Sequence, residues 1–166
     1  YTPAALGKYD LKAVVVSTDG TEYERLSSFT AYNPRSTFKG EIALPGTLQA
    51  EDFDAGADGI SYHDSDTKKE GDATSYRTNG GGVDIVKGNG GNAIGYTATG
   101  EWLEYTVNVA EAGIYSYDAA VSSGVTNSSI SLSLSTENGL TKLTDVLAVP
   151  CVNSNDWNTY RTIHGR

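Results

Sequence analysis

Between Gly91 and Val109 the chain reads GNAIGYTATGEWLEYTVNV, and its second half alternates apolar with polar positions. Leu103, Tyr105, Val107 and Val109 fall on one side; Trp102, Glu104, Thr106 and Asn108 fall on the other. A period of two is the pattern of a half-buried antiparallel strand, and Thr, Tyr and Val suit a pleated surface. Residues 92–97 predict a partner strand across a short turn. The same alternation recurs elsewhere. Tyr9, Leu11, Ala13 and Val15 alternate with Asp10, Lys12 and Val14; Asp19-Gly20 is a hairpin turn signal, and a second strand follows over 22–32. Leu48 and Ala50 oppose Gln49 and Glu51 in a strand over 47–51. Tyr115, Tyr117, Ala119 and Val121 share a face over 114–122, as do Ile130, Leu132 and Leu134 over 129–135. Strands over 143–149 and 157–163 complete the set. Short strands at intervals of about 8–12 residues, with Gly or Asn between them, predict an all-β sandwich or jelly roll. No stretch predicts a helix, and Glu137 to Leu140 reads as a turn.

Two stretches break the pattern. Residues 34–46 hold Pro34, Gly40, Pro45 and Gly46 and read as a linker, with Phe38, Ile42 and Leu44 apolar enough to pin part of it to a surface. Residues 52–82 are long, polar and rich in Gly, Asp and Ser; a loop of that length is functional or pinned by something.

Composition adds limits. Nineteen Gly and eleven Tyr in 166 residues agree with an all-β chain. The net charge of −9 argues against nucleic acid, whose phosphates it would repel, and is neutral toward an uncharged polysaccharide. A lone cysteine, Cys151 in VLAVPCV, excludes an internal disulfide and predicts a buried thiol. No apolar run approaches the roughly 20 residues of a membrane span. With no initial Met and no signal peptide, the chain reads as an excised fragment whose targeting signal, if any, lies outside it.

Sugar rings have apolar C–H faces and hydroxyl edges. Proteins hold them with aromatic side chains against the faces and polar groups on the hydroxyls. Tyr96, beside a turn, and Trp157, preceded by polar Asn153, Ser154, Asn155 and Asp156, are the aromatics placed to stay in water; the bland alternative is that both pack in the core. Trp102, inside a strand between Glu101 and Glu104 and next to Leu103, reads as a packing residue.

AIGYTATGEWLEYTVNVAEAGIYSYDAAVSS, with TLQAEDFD, ISYHDSD, YRTNGGGVDI and VPCVNSNDWNTYRTI in the same order, resembles family 6 carbohydrate-binding modules over roughly residues 47–164. The resemblance implies a galactose-binding-domain-like β-sandwich over 47–166 that binds polysaccharide or oligosaccharide without catalysis. It implies that Tyr96 and Trp157 sandwich a sugar in a loop cleft, with Asp84, Tyr76 and Arg77 as candidate polar contacts. Val86 stands where the family commonly has Glu, which alters the expected specificity. The resemblance also implies a structural Ca²⁺ on Gln49 and Glu51, suited by hard oxygen ligands. The completing Asp belongs to about two further strands expected beyond Ile163, so those strands are expected outside the sequence or compensated. HDSD (His63 to Asp66) lacks EF-hand spacing and reads as a solvated turn.

GKYDLKAVVVSTDG resembles the last hairpin of immunoglobulin-like modules in large glycoside hydrolases. Residues 1–33 are therefore expected to be the C-terminal strands of such a module; the alternative is an N-terminal extension of the sandwich. This order of modules resembles the C-terminus of family 2, β-galactosidase-type enzymes, implying a secreted or periplasmic bacterial parent that degrades polysaccharide. Carboxylates are plentiful, but none lies in a hydrolase motif, and the glycines at 80–82 lack the strand–helix setting of a phosphate loop. The chain itself is not expected to be an enzyme. The rival reading is a structural or oligomerisation sandwich that has lost sugar binding.

Overall fold

The computed structural model of the chain describes residues 7–31, 35–79, 81–136 and 139–166. The expected boundary at 33–34, Gly80 and the first half of the expected turn at 137–140 lie outside the described residues. Among those described, the regular structure is short β-strands and two single 3-10 turns, with no α-helix. β1 (Gly7–Val16) and β2 (Glu22–Ala31) form an antiparallel hairpin. Its loop is the Asp19-Gly20 turn: Ser17 N–H donates to Thr21 O at 2.9 Å, and Gly20 has φ +86°. Glycine takes that left-handed position without a Cβ clash. The Ser17 hydroxyl and the Thr21 amide hold the Asp19 carboxyl down at about 2. Across the pair Tyr9 stacks on Phe29, centroids 5.2 Å apart, while Leu11, Val15 and Tyr23 stay exposed.

The next strands are β3 (Arg35–Ser36), β4 (Ile42–Leu44), β5 (Ala55–Gly56), β6 (Tyr62–His63), β7 (Ile85–Gly88), β8 (Gly91–Ile94), β9 (Trp102–Leu103) and β10 (Val107–Val109). The last are β11 (Tyr117–Val121), β12 (Ser129–Ile130), β13 (Ser133–Thr136), β14 (Gly139–Lys142), β15 (Leu147–Ala148) and β16 (Arg161–Gly165). Their antiparallel pairs are nested. The β7–β8 hairpin lies inside β6–β9, and β13–β14 lies inside β12–β15, itself inside β11–β16. Nested pairs of this kind are long hairpins folded over, the connectivity of a jelly roll. The stretch expected as a linker is built in: β3 pairs with β5, and β4 runs parallel to β10 with Ile42 opposite Val107 and Leu44 opposite Val109.

The strand expected over 47–51 is instead a 3-10 turn at Ala50–Asp52, closed by Asp52 N–H on Gln49 O at 3.0 Å. Arg77 supplies the reason. Its guanidinium donates to the carbonyls of Glu51, Phe53 and Asp54, and an extended strand would not aim these three at one point. The core around it joins Phe53, Tyr62 and Val83 to Ile94, Leu103 and Tyr105. Leu103 and Tyr105 thus face inward, as the alternation predicts. The polar 52–82 segment is pinned from β7 and the residue before it: Asp84 accepts from the Glu70 and Gly71 amides, Lys87 N–H donates to Asp72 at 2.7 Å, and Ala73 N–H donates to Ile85 O at 2.9 Å.

The accessible surface is 11636 Å² at 17.5 kDa, where a compact monomer exposes roughly 7,900 Å². Exposed apolar side chains concentrate on the β1–β2 hairpin and over 130–146, where Leu132, Leu134, Leu140, Leu143 and Val146 lie open. The shared face expected of Ile130, Leu132 and Leu134 is therefore largely uncovered among the described residues.

Candidate functional site

Tyr96 lies two residues past the end of β8. It is 64% exposed and has φ +52°, a left-handed conformation that is a genuine outlier for a bulky side chain. Two contacts fix the residue before it. Gly95 N–H donates to Asp84 O at 3.0 Å, and the Gly95 α-carbon presses on Val86, whose Cγ1 would lie 2.7 Å from an added Cβ. Val86, standing where a carboxylate was the expectation from resemblance, packs against Gly95 and offers a sugar no acceptor. Behind it the β7–β8 hairpin turns on Asn89-Gly90, with φ +51° and +79°. Both residues being left-handed defines a type I′ turn, which matches the twist of paired strands. The Asn-Gly dipeptide signals this turn in the sequence, and the strand reading passed over it.

Trp157 is 55% exposed, so the core alternative does not describe it. Its ring lies on the backbone of Gly124: an added Cβ there would sit 2.7 Å from Trp157 Cε2. Asp156 organises the loop, accepting from the amides of Asn158 (3.1 Å) and Thr159 (3.2 Å) and from the Thr159 hydroxyl (2.6 Å). These bonds, the Thr159 hydroxyl foremost, hold the Asp156 carboxyl below the usual carboxylate range. Asn155 is left-handed at φ +62°, and its N–H donates to Gly124 O at 2.9 Å, closing the loop on the same glycine. Tyr160 reaches back from this loop to the β7–β8 turn, its hydroxyl against Gly88. Gly124 and Asp156 were missed as site residues; Asp before Trp-Asn-Thr, able to bond the amides two and three residues on, is the signal that could have found the second.

The polar contacts expected beside the rings have other work. Arg77 is 2% exposed, with its guanidinium carbon 4.0 Å from the Phe38 ring centroid and 3.8 Å from that of Phe53. Burial pulls its pKa below the ordinary arginine value, against the opposing pull of Asp52. Asp84 is 8% exposed and spends one oxygen on the Glu70 and Gly71 amides. Both are corrected from sugar contacts to structural residues, because a buried charge persists only where the fold satisfies it. Tyr76 is half-buried; its hydroxyl donates to Asp52 and meets Lys39, and burial, then Asp52, raises its pKa. Trp102 is 38% exposed and tilted against His63, centroids 6.4 Å apart, so its packing role holds in part. Cys151 is half-buried rather than buried, its thiol directed to Asn153 O at 3.4 Å.

The calcium ligands expected at Gln49 and Glu51 do not make a site by themselves. Glu51 is buried and Gln49 exposed, and no group of three or more acidic, His or Cys residues among those described could hold a metal ion. Ca²⁺ takes 6–8 oxygens, more than these two side chains supply.

The arrangement is two exposed rings, each on a turn pinned by its own hydrogen bonds and glycine contacts. Exposed, pre-positioned rings of this kind can hold an apolar ring face. No helix among the described residues is long and apolar enough to cross a membrane. No curated protein matches the chain. The family model of the carbohydrate binding module (family 6) matches residues 72–166, a span that contains Tyr96, Trp157 and all but one pair of the nested strands around them. The chain is an all-β, non-catalytic carbohydrate-binding module and belongs to family 6 of those modules.

Proposed function

We propose that Tyr96 and Trp157 are the platforms on which this module holds polysaccharide or oligosaccharide, and that the module brings a parent glycoside hydrolase, of β-galactosidase type, to its substrate outside the cell or in the periplasm. One observation carries the site: Tyr96 keeps a large ring in water on a left-handed backbone. Strain of that kind persists where the surroundings over-determine it, which is typical of ligand clamps. Trp157 supports the reading as a second exposed ring whose loop is fixed before any ligand arrives. Pre-ordered rings lose little freedom on binding, the main cost for a weak single module. Tethering then raises the local concentration of substrate at the catalytic domain without new contacts there. The hairpin of residues 7–31 belongs, in this proposal, to the preceding immunoglobulin-like module.

A second reading has an observation of its own. Val86, Asp84 and Arg77 leave the two rings without the charged partners expected near them, as in a sandwich kept for packing or oligomerisation. Affinity electrophoresis in a panel of soluble polysaccharides separates the two. On the first reading Tyr96→Ala and Trp157→Ala each weaken retention by about tenfold or more, the scale of one lost stacking residue. If both variants migrate like the parent in every gel, the rings are not the site and the packing role stands.

A further inference from the structure

The turn from Asp58 to Thr67 borders a hollow of about 270 Å³ whose walls carry Asp58, Tyr62, Asp64 and Asp66. Gly81 and Gly82 close it opposite. An added Cβ at Gly81 would collide with the Tyr62 hydroxyl, and one at Gly82 would lie 3.2 Å from Asp64 Oδ1, so phenol and carboxylate both reach that wall. Tyr62 is 6% exposed, yet its hydroxyl has no hydrogen-bond partner among the described residues. The ring is buried, but the hydroxyl is not among the fully buried polar atoms that lack a partner. It opens on the hollow.

The hollow is strongly negative. Asp58 has His63 at 3.0 Å, while Asp64 and Asp66 have no ion pair among the described residues. Burial first, and then the charges of Glu101, Asp66 and Asp84, hold the Asp64 carboxyl above the usual range against the Asp66 amide that opposes them. Such a bowl attracts a cation. A calcium ion requires several oxygens converging at about 2.3–2.6 Å, and no three acidic or His groups among the described residues come together so closely. An ammonium group has three donors and reaches acceptors at about 2.8 Å, spread around a wider opening. At about 270 Å³ the hollow falls just under the range of pockets for drug-sized ligands, the scale of a single small ring.

We propose that this hollow takes the ammonium-bearing ring of an amino sugar, a glucosamine unit of a deacetylated chitin-type polymer. Asp64 and Asp66 receive the ammonium, and the Tyr62 hydroxyl bonds a ring hydroxyl. The net charge of −9 draws a polycation toward the surface. The hollow is also coupled to the first platform: Glu101 accepts from the Ser65 amide and hydroxyl on its rim and from the Ala98 amide, two residues after Tyr96. The inference rests on the chain binding carbohydrate, but not on Tyr96 or Trp157.

The test is amide chemical-shift mapping of the unmodified chain with a glucosamine tetramer, an N-acetylglucosamine tetramer, a cellulose tetramer and Ca²⁺ alone. Shifts at Ser65, Thr67, Gly81 and Gly82 with the amine alone, weakened by added salt, support the proposal. So does a loss of affinity of about tenfold for each of Asp64→Asn and Tyr62→Phe, with none for Tyr96→Ala. Silence at those four amides, equal shifts from the acetylated tetramer, or displacement of the amine by Ca²⁺ overturns it. Neutral tetramers shifting residues near Tyr96 or Trp157 while the amine leaves the hollow unmoved would defeat this inference and spare the carbohydrate site. No response to any sugar defeats both.

Discussion

A tyrosine held in the left-handed region costs about 1–2 kcal/mol of backbone strain. Tyr96, at φ +52°, bears that cost beside a glycine that would have avoided it. If the strain serves the ring's position, Tyr96→Asn should uncouple stability from function. Asn tolerates this conformation, so urea unfolding should report a gain of about 0.5–1 kcal/mol while sugar retention is lost. A loss of stability would make the ring a packing residue instead. Asp156 allows a test by pH. Its carboxyl is depressed in the fold, chiefly by the Thr159 hydroxyl. A depressed carboxylate stabilises fully above its unfolded value of about 3.9, and that support disappears as pH falls through the lower folded value. Binding through Trp157 should therefore stay level from neutral pH to about 4 and fail only in stronger acid. Failure already near pH 6 would point to another group.

At the scale of the element, the seat of Trp157 is a glycine on a different strand connection. Gly124 is buried, and an added Cβ would lie 2.7 Å from Trp157 Cε2 and 3.0 Å from the Asn155 α-carbon. Gly124→Ala should push the ring off its bed, lowering sugar affinity several-fold while changing stability by less than about 1 kcal/mol, since an exposed indole can swing outward. Near-ultraviolet circular dichroism reads the displaced ring; an unchanged spectrum with unchanged affinity would mean that the indole is not seated there. Local alternation and turn chemistry made β1 and β2 legible as a hairpin, and β11 legible with its inward face, because burial there follows the period of two. The same logic misplaced Gln49 and Glu51. Leu48 and Ala50 alternate correctly there, but the carbonyls are claimed by an arginine 26 residues further on from Glu51. The exposure of Tyr96 and Trp157 was readable from neighbouring turns and polar residues; the burial of Asp84 and Arg77 was not, since nothing local marks a charge as satisfied at a distance.

Arg77 sets the largest of these distances and ties the segment before residue 72 to the chain that follows it. Its guanidinium lies between Phe38, from the stretch joining β3 to β4, and Phe53, from the core, while donating to the carbonyls of Glu51, Phe53 and Asp54. Phe38 and Phe53 precede the family-matched region of 72–166, so this one side chain fastens the earlier segment onto it. A planar cation can stack on two rings and fork to three acceptors at once; a lysine ammonium cannot. Arg77→Lys leaves buried carbonyls unpaired, at about 1–3 kcal/mol. At this chain length the unfolding midpoint should fall by roughly 3–10 °C. The affinity of the folded fraction for sugar should be unaltered, because the guanidinium has no path to solvent. A residue that touched sugar would do the reverse, holding the midpoint and losing affinity. Calorimetry paired with a binding titration on the same sample distinguishes the two, and an unmoved midpoint would end the claim that the segment before the matched region is locked on by this arginine.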